Sequence, residues 1–112
     1  MRGPLMPNSL HDFRADQLHV VDLRGIKSKA RLLAALGENL ELPEYYGKNF
    51  DALADCLMDS DWARGERVTI VLLGCTAAER ALGEHWATLI EVLRDACAWW
   101  KDHDKDFDVL LC

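Results

Sequence analysis

A chain of 112 residues is long enough for one domain with a short tail and too short for two independent cores. Half of its residues are hydrophobic and 29% are charged, which excludes disordered and fibrous chains, and no apolar run reaches the roughly 18 residues of a membrane span. Nineteen acidic residues against thirteen basic ones leave a formal charge of −6, which excludes a general binder of nucleic acid or of anionic membranes and makes a basic partner the expectation.

Residues 1–17, which open MRGPLMPNSLHDF, hold two prolines and little apolar periodicity, so a loosely ordered lead-in is expected there and an ordered domain over 18–112. The opening stretch has no apolar run of signal-peptide length, which makes the cytoplasm the expected location. LHVVDL, from Leu18 to Leu23, is short and β-branched and predicts a strand stopped by Arg24 and Gly25. Ser28 predicts an N-cap, after which Leu32, Leu33, Leu36 and Leu40 recur at helical spacing. Gly37 interrupts that pattern at a cost of about 1 kcal/mol. Pro43 ends the helix, and a loop over 43–47 leads to Asn49, the expected cap of a second helix with Phe50, Leu53 and Leu57 on one face and an end near Asp61.

RVTIVLL, from Arg67 to Leu73, reads as a central strand covered on both faces. A long helical region from about Thr76 carries Leu82, Trp86, Leu89, Leu93, Ala96 and Trp100, and FDVLLC closes the chain as a third strand. Strands separated by helices imply parallel pairing, because a strand can rejoin its neighbour in parallel only after a helix-length excursion. The expected fold is α/β, a small three-stranded parallel sheet with helices packed around it. Cys56, Cys75, Cys97 and Cys112 are dispersed, with no CxxC and no zinc-ligand spacing, and read as reduced, mostly core thiols.

The acid is concentrated. Residues 38–61 contain Glu38, Glu41, Glu44, Asp51, Asp55, Asp59 and Asp61 against Lys48 alone, a sum equal to the charge of the whole chain. Asp51, Asp55 and Asp59 fall at i, i+4 and i+8, which predicts three carboxylates on one side of the second helix, about 6 Å apart in rise. Like charges at that spacing oppose the helix, and Asp59 opposes its dipole, so helix stability does not explain the row. The preceding loop sets Tyr45 and Tyr46 side by side; neighbouring side chains in an extended loop point apart, so one of them is expected in the core and the other beside the carboxylates.

The segment LPEYYGKNFDALADCL, from Leu42 to Leu57, closely resembles the signature of the barstar family, intracellular inhibitors of secreted microbial ribonucleases. VLRDA, from Val92 to Ala96, resembles the family's late-helix segment, and the order of elements agrees over about residues 18–112. The resemblance implies a barstar-like fold and a non-enzymatic role. The loop and second helix would plug the active site of a basic ribonuclease or nuclease toxin, one to one, with Asp55 standing in for a substrate phosphate. It further implies contacts from Tyr45, Asn49, Asp51 and Asp95, with no cofactor, no direct nucleic-acid binding and no membrane. The charge row adds Asp59. Ala54 occupies a position where the best-known member carries a tryptophan, and Trp62 is the expected replacement anchor. Glu79 is expected outside this surface.

Other readings start from the same residues. A barstar-fold interaction module would keep the acidic face and bind a different basic protein. A metal-dependent enzyme would use the acidic row as a magnesium site, but the sequence has no P-loop or dinucleotide fingerprint beside it. Asp102, Asp104, Asp106 and Asp108 imitate the start of a calcium loop yet lack its glycine and terminal glutamate, which leaves a polar turn before the last strand. His11, His19, His85 and His103 have no nucleophile or metal ligand at productive spacing, and Trp86, Trp99 and Trp100 lack the basic groove of a base-stacking platform, so all read as packing or surface residues.

Overall fold

The apolar run Arg67–Leu73 becomes the middle strand of a three-stranded sheet in a computed structural model that describes residues 17–43 and 46–112. In chain order the elements are β1 (Gln17–Asp22), α1 (Lys29–Asn39), α2 (Phe50–Leu57), β2 (Arg67–Leu73), α3 (Cys75–Leu82), α4 (Glu84–Lys101) and β3 (Asp106–Leu111). Both strand pairs are parallel, with Leu18 opposite Thr69 and Thr69 opposite Asp108. The α/β architecture read from the sequence is therefore present, and β1 starts at Gln17, one residue ahead of the expected boundary.

One face of the sheet is buried. Val68, Ile70 and Leu72 are fully enclosed while Thr69 and Val71 are half-buried, and Leu18, Val20 and Leu110 remain about half exposed. The expectation that β2 is covered on both faces is corrected: the core forms on one side, where α1 packs on β1 and α4 packs on β3. A hydrophobic run alone does not separate two covered faces from one.

Ser28 caps α1 as expected, its Oγ accepting from the Arg31 amide at 3.2 Å. Gly37 is explained by tertiary packing: a Cβ there would lie 2.7 Å from Cε2 of the Tyr46 ring, so only glycine lets the ring cross α1. Gly37→Ala is expected to destabilise the protein by about 1–2 kcal/mol, the overpacking cost outweighing the gain in helix propensity. Urea unfolding checks this; a stabilised variant would contradict the ring placement.

The long helical region is two helices. Gly83, at φ 56° and ψ −120°, ends α3 and opens α4 in a conformation that a side chain disfavours. Sequence periodicity runs through the break because both helices bury apolar residues on the same core.

Candidate functional site

The acidic helix α2 is short and held at both ends. Asn49 Oδ1 accepts from the Ala52 amide at 2.7 Å, and the Trp100 indole Nε1 donates to the carbonyl of Leu57, the last helical residue, at 2.7 Å. Leu53, Cys56 and Leu57 are buried, and α2 packs against α4. The opposite side presents Asp51 in the first turn, where the helix dipole favours a carboxylate, and Asp55 one turn later. Both are exposed, and neither has a hydrogen-bond or ion-pair partner among the described residues.

Asp59 does not complete the expected row on the helix. Because α2 ends at Leu57 rather than near Asp61, Asp59 falls in the following turn, half-buried, and its Oδ1 accepts from the Asp61 amide at 2.8 Å. It stays at the negative end of the helix dipole, and the bond it accepts gives it a role in organising the turn after the helix. Asp55 and Asp59 still act together on the core: burial pushes the Cys56 thiol up, and these two negative charges push it further in the same direction.

Trp62 is corrected as a surface anchor. It is 7% exposed, donates its indole N–H to the Leu40 carbonyl at the end of α1 at 2.7 Å, and stacks on buried His19 at 5.4 Å between ring centres. Tyr45 lies outside the described residues. Tyr46 is the core member of the pair, buried against α1 with its hydroxyl donating to the Leu33 carbonyl at 3.0 Å. Burial, reinforced by Cys56, raises its pKa to about 12. The neutral form is the one the fold prefers, so this contribution to stability is whole below about pH 10 and is lost as pH rises through about 12. In a Tyr45→Phe variant, where Tyr46 is the remaining tyrosine, absorbance titration is expected to show ionisation near 12; a midpoint near 10 in folded protein would contradict the burial.

Asp95 is exposed on α4 and lines a shallow groove against α3 with Glu79, Glu91, Arg94 and Ile90. Glu79, expected to lie apart from the site, shares that groove with Asp95 and is no neutral control. The Trp100 bond ties the C-terminal end of α2 to the same helix, so α2 and the Asp95 face form one supported unit. Sequence reading missed this tether. Its signals were a helix with no glycine or basic C-cap after Leu57 and a tryptophan at a core position of α4, though nothing linked the two.

Among the described residues, no three of His, Cys, Asp or Glu are placed to hold a metal ion, and no helix is long and apolar enough to cross a membrane. Cys56 and Cys75 are buried, Cys97 half-buried and Cys112 exposed, all as free thiols.

Two comparisons bear on these features. The sequence model of the family described as "Barstar (barnase inhibitor)" matches residues 17–112. A Bacillus subtilis (strain 168) protein named "Putative ribonuclease inhibitor YrdF" is 33% identical over 86 residues, which cover 77% of this chain and 91% of that protein.

Proposed function

Since the chain belongs to the barstar family, we propose that it is an intracellular immunity protein that inhibits a microbial ribonuclease or related nuclease toxin by occupying its catalytic cleft one to one. The observation that carries this reading is the pair Asp51 and Asp55, two exposed carboxylates without hydrogen-bond or ion-pair partners among the described residues, on a helix fixed at both ends. A ribonuclease cleft gathers arginines and lysines to hold RNA phosphates, and carboxylates delivered on a rigid helix satisfy the same cations through charge-assisted hydrogen bonds. Rigidity matters because little side-chain and backbone freedom remains to be lost on binding. Asn49, beside the first turn, adds a polar contact, and the net charge of −6 accelerates encounter with a basic partner. Tyr45 and Asp95 complete the proposed surface; Asp59 supports it from the turn behind. The cytoplasm is the compartment where a cell needs such protection.

The test is RNA cleavage by barnase, and by a ribonuclease encoded beside this chain's gene, with and without the protein. We expect cleavage by at least one of them to disappear at one equivalent, with association slowing as salt rises because screening shortens the reach of the acidic face. Inhibition of neither enzyme, or association insensitive to salt, overturns the reading. Capture of a basic protein without nuclease activity would favour the interaction-module alternative.

A further inference from the structure

Of the four tryptophans, Trp62, Trp86 and Trp100 are buried, whereas Trp99 is 41% exposed. Its ring is nonetheless held in place. The His103 imidazole stacks on it at 3.9 Å between centres with the planes 22° apart, and His103 Nδ1 lies 2.6 Å from the Trp99 carbonyl. A carbonyl only accepts, so Nδ1 carries the proton and donates it. The stack covers one face of the indole, and the residue still keeps 41% of its surface open to a partner.

The placement of Trp99 on α4 follows from helix geometry. Ile90, Leu93 and Cys97 line a groove with Val109 and Leu111 of β3, which fixes the flank turned toward the sheet edge. At about 100° per residue, Trp99 sits roughly 160° round the helix from Cys97 and only about 40° from Asp95, one turn away. Trp99 is therefore on the side away from β3, and the next residue, Trp100, bonds to the end of α2. Acid predominates around Asp95: Glu84, Glu91 and Asp102 are exposed within about 40° of it, while Arg94, about 100° away, shares the groove on its α3 side and Lys101 lies further round.

We propose that Trp99 is an aromatic anchor of the partner-binding surface, taking an arginine of the ribonuclease whose guanidinium packs on the exposed part of the indole and pairs with Asp95. This rests on the reading of the chain as a ribonuclease inhibitor. A planar cation suits both halves of the site, since guanidinium stacks on aromatic faces and pairs with carboxylates, whereas a lysine ammonium offers no plane to stack. Side chains at i and i+4 stand about 5–6 Å apart at Cβ, within the span of one guanidinium. The ring is already ordered by His103, so immobilising it on binding costs little, and tryptophan and arginine are both among the residue types enriched in energetically dominant interface contacts.

The experiment measures inhibition of whichever of the two ribonucleases the wild-type chain blocks, using wild type, Trp99→Ala, Trp99→Phe, Asp95→Asn and the Trp99→Ala/Asp95→Asn double variant. Trp99→Ala is expected to weaken inhibition about thirtyfold with the melting temperature unchanged, and Trp99→Phe to stay within about fivefold of wild type. The double variant should lose less than the product of the single losses, as two groups holding one cation require. A loss under threefold for Trp99→Ala, or multiplicative losses in the double variant, overturns the proposal. If Trp99→Ala lowers the melting temperature, Trp99→Leu decides, since it keeps apolar bulk without a π face: wild-type inhibition by the leucine variant overturns the anchor, and a loss of about tenfold or more supports it. Should wild type block neither enzyme, the ribonuclease reading itself has failed, an outcome distinct from a wild type that inhibits and a Trp99 variant that does so equally well.

Discussion

Asp55→Ala is expected to weaken the complex with the ribonuclease by a hundredfold or more while leaving the free protein as stable as before, or slightly more so. The two halves of that expectation have separate causes. In the free protein Asp55 is exposed, has no partner among the described residues, and shares a helix face with Asp51 one turn away, so its removal relieves a like-charge pair worth a few tenths of a kcal/mol. In the complex it is desolvated against cationic groups, and removing one member of a buried charge pair leaves the other uncompensated at a cost of about 3–5 kcal/mol. A thermodynamic ledger in which the fold gains and binding collapses is the mark of a residue kept for its partner. Asp106→Ala is the control, since it removes the same charge from an exposed position at the start of β3 and should change affinity less than threefold. Binding titrations with melting curves check both halves, and similar losses for the two variants would refute the assignment of the surface to α2.

Trp100→Ala should produce the largest loss of stability. The side chain is 5% exposed, its indole N–H satisfies the Leu57 carbonyl at 2.7 Å, and Lys105 Nζ lies 5.2 Å from its ring centre. Truncation opens a cavity between α2 and α4 and orphans a helix-terminal carbonyl, a loss of about 3–5 kcal/mol, enough to lower the melting temperature of a domain this size by roughly 10 °C or more. Trp100→Phe retains much of the packing and loses the hydrogen bond, at about 1–2 kcal/mol. In that variant the amides of α2 should exchange with solvent before those of the sheet, because the bond is the clamp on the helix's C-terminal end. A cost below about 1 kcal/mol for the alanine change would contradict the burial described.

Much of this protein is legible one short window at a time. Ser28 and Asn49 announce helix starts because a capping oxygen acts on an amide three residues ahead, and both make that bond. Arg67–Leu73 reads as the middle strand, and the confinement of excess acid to residues 38–61 is a matter of counting. The family signature over Leu42–Leu57 adds the expected fold, and the match over residues 17–112 agrees with it.

What remained hidden depends on partners distant in the chain. Trp62 looked available for a partner until its indole was seen to reach Leu40, 22 residues back, and Trp100 fixes the end of α2 from 43 residues away. Gly37 reads as a helix weakness until Tyr46 crosses it, and that crossing also places Tyr46 in the core. Asp59 leaves the carboxylate row because α2 stops at Leu57. By itself the sequence determined the order of the three strands, the starts of α1 and α2 and the location of the charge, since these follow from interactions spanning a few residues. Only the tertiary structure decided which aromatic rings are internal and where the acidic helix ends, because carbonyls at helix ends are satisfied by whatever donor the folded chain brings to them.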